Sequence, residues 1–112
     1  MPVSATAKYL PIAPQKLRLV IDQVRGMPAH EASIVLKHMP QKGATLALKL
    51  LESAIANAEQ NYEMSREDLV ITSVLADEGP TLKRFKAGAR GRYKPRLKRT
   101  SHLTVILDER ER

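Results

Sequence analysis

The sequence predicts an α+β fold: three amphipathic helices come first, short strands follow, and a long β-hairpin reaches beyond the body. Three observations predict it. Apolar residues recur with helical spacing from Pro14 to Asn61, and the period then changes to short β-branched runs. Those runs are separated by residues 77–101, a stretch too basic and too poor in apolar side chains to join a core. At 112 residues and 43% hydrophobic content the chain fits one small domain, and with only 4% aromatic residues its core must be aliphatic. We therefore expect a single domain over 1–112, with a globular body (1–78 and 101–112) and an extended basic β-hairpin (79–100).

Each element has a local reason. Residues 6–12 (TAKYLPI) read as an extended arm, because Pro11 and Pro14 disfavour helix at the residues before them. Pro14 suits a first helical position, Leu17, Val20, Ile21 and Val24 follow at i, i+3, i+4 and i+7, and Gly26 ends the helix. A second helix starts at Pro28, carries Ala32, Val35, Leu36 and Met39 on its apolar side, and stops at Pro40. A third over 42–61 aligns Ala47, Leu50, Leu51, Ala54, Ile55 and Ala58, and its alanines favour helix and close approach of a neighbour. Three amphipathic helices should share one core. Residues 69–76 (LVITSVLA) and 102–107 (HLTVIL) then read as strands, the second with Leu103, Val105 and Leu107 on one face.

Charge is distributed unevenly. Nineteen Lys and Arg against twelve Asp and Glu give a net charge of +7. Residues 79–107 hold nine of those bases (Lys83, Arg84, Lys86, Arg90, Arg92, Lys94, Arg96, Lys98, Arg99) and no acid, so the rest of the chain is close to neutral. A connection this long would normally count against pairing the flanking strands, unless the connection is itself a hairpin with its tip near Arg90 and Gly91. Between Lys83 and Arg99 the sizeable apolar side chains are Phe85, Tyr93 and Leu97, too few for a core, and an isolated two-stranded ribbon is marginal in water. Its order should come from outside the domain, and its charge makes the partner a polyanion. A charge run is often only a solvated face. Against that stand the absence of acids, the glycines interspersed with arginine, and the self-repulsion of a single-sign projection. Arginine's planar fork suits phosphates, and contacts of this kind position a protein with little sequence readout.

No enzyme is visible. Without cysteine there is no disulfide, thiol nucleophile or cysteine-ligated metal. His30 and His38 lie eight apart on one helix, too far for a shared metal, and His102 stands alone. Asp77 and Glu78 are adjacent on a strand and so point to opposite faces; an acidic step before a basic run pairs with it or caps a turn. Gly88 to Arg92 (GARGR) is not flanked by the strand and helix that a nucleotide-binding turn needs, and its glycines suit backbone turns and close approach to phosphates. No apolar run approaches the ~18 residues of a membrane span. We expect a soluble cytoplasmic protein with no cofactor, metal or membrane partner.

Several blocks carry a resemblance. Pro14-Gln15-Lys16-Leu17-Arg18-Leu19-Val20 with Arg25-Gly26, then Leu51-Glu52-Ser53-Ala54-Ile55-Ala56-Asn57-Ala58, then Asp77-Glu78-Gly79-Pro80, and Arg90-Gly91-Arg92 with Lys98-Arg99-Thr100-Ser101-His102 resemble, in order and spacing over nearly the whole chain, the family of ribosomal protein twenty-two of the large subunit. The resemblance implies an α+β body of three helices packed on a small antiparallel sheet, with a long protruding β-hairpin. It implies a structural constituent that binds rRNA, supports subunit assembly and lines the nascent-peptide exit tunnel with its hairpin tip. The expected RNA contacts are Lys83, Arg84, Lys86, Arg90, Arg92, Lys94, Arg96, Lys98 and Arg99, joined from the body by Lys16 and Arg18. The expected tunnel tip is Gly88, Ala89, Arg90, Gly91 and Arg92. Implied partners are large-subunit rRNA, neighbouring ribosomal proteins and the nascent polypeptide, with no homo-oligomer. Two positions depart from the family: Gly88 stands where a basic residue is usual, and Ala13 where Ser often caps the first helix, at a cost of ~1 kcal/mol. The rival reading is a free-standing nucleic-acid-binding regulator whose basic loop folds on binding. It would need a dimer interface or a base-reading helix, which the near-neutral helices do not offer.

Overall fold

A computed structural model describes residues 2–87 and 93–110, with side chains described for all of these outside 82–98. The order is β1 (Val3–Leu10), α1 (Pro14–Ile21), α2 (Ala29–His38), α3 (Lys42–Tyr62), a 3-10 turn (Arg66–Asp68), β2 (Leu69–Glu78), β3 (Leu82–Ala87), β4 (Tyr93–Lys98) and β5 (Ser101–Glu109). The helices begin where the prolines put them. Pro14 is the first residue of α1, Pro28 caps α2, and α3 starts two residues after Pro40. As the sequence implied, Ala13 gives α1 no side-chain cap.

α1 is shorter than its apolar spacing suggests. The amides of Gln23 and Val24 bond to the carbonyls of Val20 and Ile21, three residues back, so the last turn tightens after Ile21. Gly26 then reverses the chain at φ +81°, a conformation glycine adopts without strain. Val24 is buried nonetheless.

The body sheet has three antiparallel strands in the order β1-β5-β2. β5 is central, and Leu103, Val105 and Leu107 all bury on its helix-facing side. They lie opposite Ala7, Ala5 and Val3 of β1, and opposite Ala76, Val74 and Ile71 of β2. Ile71 is odd-numbered, whereas Val74 and Ala76 are even. A bulge between Ile71 and Ser73 shifts the phase by one, so both halves of β2 present apolar residues to the core. The arm expected at 6–12 thus belongs, as far as Leu10, to a full strand that begins at Val3, and Pro11 and Ile12 lie beyond its end. Its pairing with β5 joins the two ends of the chain.

β2 lies at the edge of this sheet, and the segment around α1 covers that edge. The Ile71 amide donates to the Met27 carbonyl at 2.9 Å. The Arg25 guanidinium donates to the Val74 carbonyl at 2.6 Å, and Arg18 Nε to the Ala76 carbonyl at 3.1 Å. Ladder groups that would otherwise invite a foreign strand are satisfied internally.

The helices supply the other half of the core. All six residues of the predicted α3 stripe are buried, Ile55 completely. α3 packs against α1, α2, β1 and β5, which makes it the central support of the body. Arg66 bridges Glu52 and Glu59 of α3 at 3.5 Å each, fixing the 3-10 turn to the helix.

Between β2 and β5 the chain forms a second, two-stranded sheet. β3 and β4 pair antiparallel from Leu82 opposite Lys98 to Ala87 opposite Tyr93. The neck between the two sheets is tightly built. The Gly79 amide donates to the Thr100 carbonyl at 2.9 Å, and the buried Thr100 hydroxyl donates to the Pro80 carbonyl at 2.6 Å. A Cβ at Gly79 would stand 2.5 Å from that hydroxyl and 3.2 Å from His102 Cε1. Gly79→Ala is therefore expected to destabilise the fold by breaking the Thr100–Pro80 bond. Once Thr100→Ala has removed the hydroxyl, the same change should do little further harm, a coupling of about 0.5–3 kcal/mol. Urea unfolding of the two single variants and the double checks it; additive losses would show that the neck does not need a bare glycine.

Candidate nucleic-acid interface

Cations of the body gather at this neck. α1 presents Lys16 and Arg18 on its exposed side, with Leu19 beside them, 68% exposed. The first turn of α3 brings Lys42 alongside, and Arg99 and Thr100 arrive from the neck. Lys16, Leu19, Lys42, Arg99 and Thr100, together with Pro11 and Ile12, line a groove of about 680 Å3. A second groove of about 530 Å3 shares Ala13 and Arg99 with the first and adds Arg18 and Glu78. Among the described residues four cations, Lys16, Arg18, Lys42 and Arg99, thus border two adjoining grooves whose linings contain one acid, Glu78.

The groove floor follows from the packing below it. Gly43 lets the first turn of α3 lie against α1; a Cβ there would meet Ile12 Cδ1 at 3.1 Å and Val20 Cγ2 at 3.3 Å. Ile12 is held from behind, its carbonyl accepting the Ser101 hydroxyl at 2.6 Å and its amide bonding to the Leu10 carbonyl at 2.8 Å. Lys42 Nζ donates to the Pro11 carbonyl at 3.3 Å, which keeps the ammonium at the rim. Neither α1 nor α3 has a side-chain cap, so the positive ends of both helices open here.

The structure brings together only part of the expected site. Lys16, Arg18 and Arg99 converge at the neck, and Arg18 already uses its Nε on Ala76 while its remaining donors are available. Lys83, Arg84, Lys86, Lys94, Arg96 and Lys98 fall on β3 and β4, whose backbone alone is described. The tip residues Gly88, Ala89, Arg90, Gly91 and Arg92 lie outside the described residues. Lys42 belongs to the cationic face, and sequence reasoning missed it. A signal was present: a lysine in the first turn of a helix opposes the macrodipole, so it calls for another reason to be there.

The three histidines lie on α2 and β5. His30 and His38 sit exposed on α2, about 12 Å apart along the axis at ~1.5 Å per residue. His102 accepts the Tyr9 amide at Nδ1, 3.1 Å away, beneath an edge-on Tyr9 ring whose residue adopts φ 58° at the β1 bulge. Among the described residues no three His, Asp or Glu are grouped so as to hold a metal, and no helix is long and apolar enough to cross a membrane.

Cations of a small α+β body thus gather at the foot of an acid-free basic ribbon. Comparison with known proteins identifies the family. The family model described as ribosomal protein L22p/L17e matches residues 5–108. A protein of Pediococcus pentosaceus named large ribosomal subunit protein uL22 is 50% identical over 107 residues, 96% of this chain and 91% of the relative. One of the same name from Desulfatibacillum aliphaticivorans is 52% identical over 109 residues, 97% of this chain and all of the relative. The chain belongs to the ribosomal protein L22p/L17e family, and is a non-enzymatic structural constituent of the large subunit of the cytoplasmic ribosome. The resemblance legible in the sequence blocks is thereby confirmed.

Proposed function

We propose that this constituent binds large-subunit rRNA through the basic hairpin and the cationic neck, supports subunit assembly, and lines the nascent-peptide exit tunnel with residues 88–92. One observation carries the reading. The β3–β4 register sets Arg84 opposite Arg96 and Lys86 opposite Lys94. Like charges directly opposite one another disfavour a ladder, at ~0.2–1 kcal/mol per pair, so the ribbon calls for anions that neutralise it. Phosphates of an RNA scaffold do this along the whole length. The body then acts as the anchor: Gly79 and Thr100 fix the direction in which the ribbon leaves the sheet. On this reading Lys83, Arg84, Lys86, Arg90, Arg92, Lys94, Arg96, Lys98 and Arg99 meet RNA from the hairpin, and Lys16 and Arg18 from the body. The partners are rRNA, adjacent ribosomal proteins and the passing nascent chain, and the protein works as a single copy.

Site-specific photo-cross-linking in assembled ribosomes tests the arrangement. A photoreactive residue at Arg92 is expected to capture the nascent chain of a stalled translation complex, whereas one at Arg96 captures rRNA and one at Glu63, on the exposed end of α3, captures neither the tunnel RNA nor the nascent chain. Capture of rRNA at Arg96 with no nascent-chain product at Arg90 or Arg92 would place the tip away from the tunnel.

A further inference from the structure

We propose that the groove between α1, the first turn of α3 and the neck receives one unstacked nucleotide of the bound RNA, its base against the apolar floor and its flanking phosphates on Lys16, Lys42 and Arg99. This rests on the rRNA reading above and names what the body itself recognises. The argument is one of complementarity. The floor is aliphatic: Ile12 shows only its edge, at 8% exposure, while Leu19 stands 68% exposed beside it. Among the described residues the rim carries three cations from three separate parts of the chain, and the lining contains no acid. An inorganic anion or the outside of an A-form duplex would satisfy the cations and leave Leu19 and Ile12 unused. An apolar peptide would cover Leu19 and leave three cations without a counter-charge. An unpaired nucleotide has both halves, a flat apolar face and phosphates on either side, and unstacked bases are what proteins select on RNA. Apolar side chains hold extruded bases as aromatic ones do. The volume of about 680 Å3 lies within the ~300–1,000 Å3 of pockets that take small ligands. Lys42 donates one proton to Pro11 and keeps two more for a phosphate, and the Gln41 amide lies in the lining as a neutral donor and acceptor for a base edge.

The test uses the full chain and adenosine 3′,5′-bisphosphate, which is one base between two phosphates, with pyrophosphate as the baseless comparison. Methyl resonances of Ile12 and Leu19 report on this groove alone, so phosphate binding along the hairpin does not confuse the readout. The bisphosphate is expected to move both methyl signals upfield through the ring current of the base, and pyrophosphate to leave them in place. Leu19→Ser, an exposed change, should weaken the bisphosphate response at Ile12 roughly fivefold or more and leave pyrophosphate binding unaltered. Lys16→Gln with Lys42→Gln should weaken both ligands, roughly tenfold. Equal affinities for the two ligands without ring-current shifts would reduce the groove to an anion site and overturn the proposal. So would saturation of the same methyls by a short acidic, leucine-bearing peptide at lower concentration than the bisphosphate, which would assign the groove to a protein. The rRNA reading is judged separately, by titration of the same chain with large-subunit rRNA: intact rRNA binding with no methyl response overturns the nucleotide site alone, whereas methyl shifts without rRNA binding overturn the parent reading and leave the nucleotide site standing.

Discussion

Changing Arg96, Lys98 and Arg99 together to glutamine is expected to flatten the log–log salt dependence of rRNA binding by roughly two to three units, at ~0.7–0.9 per lost phosphate contact. Each cation that neutralises a phosphate releases condensed counterions, so the slope counts contacts, whatever their sequence context. Between 50 and 200 mM salt the variant should lose roughly 20- to 40-fold less affinity than the parent chain does, having less to lose. These three residues are one third of the cations in the acid-free run, and Arg99 also borders both grooves. Arg99 is exposed and glutamine keeps each side chain polar and flexible, so thermal unfolding of the free protein should stay within the range of ordinary surface changes, about ±0.5 kcal/mol. An unchanged slope would move the binding energy from the hairpin to the body, onto Lys16, Arg18 and Lys42.

That comparison between ribbon and body mirrors what the sequence discloses and what it hides. The helices are legible because their signals are local. Three prolines mark their starts and stops, and the α3 stripe from Ala47 to Ala58 repeats with the helical period. β5 is legible for the same reason, with three apolar residues alternating on one face. β1 is weaker: VSATAKYL alternates small residues, and what makes it a strand is pairing with β5 almost a hundred residues away. The β2 bulge is hidden in the same way, since LVITSVLA shows a phase break only once β5 fixes which side is the core. The basic ribbon needs no pairing information, because nine cations without an acid are visible in any window. The groove is the opposite case. Its lining comes from residues 11–19, 41–43 and 99–100, and nothing in any one of these stretches announces the other two. Lys42 joins Lys16 and Arg99 only because Gly43 lets α3 approach Ile12, a contact that exists in the fold and nowhere in the order of residues.

The largest effect on stability is expected from Ile55→Ala, at about 2–5 kcal/mol. Ile55 is fully buried in the middle of α3, the helix that touches α1, α2, β1 and β5 at once. Removing three heavy atoms there leaves a cavity that no single neighbour can close, because closing it toward one layer opens it toward another. The loss therefore combines the transfer free energy of the missing atoms with the contacts forfeited by the lining. Ile55→Val, which removes one methyl, should cost about 0.5–1.5 kcal/mol. Ile34→Ala on α2 is the control: the same chemical change, at a residue 48% exposed, should remain close to neutral. In a domain of this size each kcal/mol moves Tm by roughly 4–8 °C, so Ile55→Ala should melt about 10 °C or more below the parent. Urea titration of the three variants checks the order through the midpoint, with the m-value unchanged if the folded and unfolded states are otherwise the same. Equal losses at Ile55 and Ile34 would mean that α3 does not hold the centre of the body. The rRNA salt slope of Ile55→Ala, measured well below its melting temperature, should match that of the parent, because the mutation removes packing and leaves every cation in place.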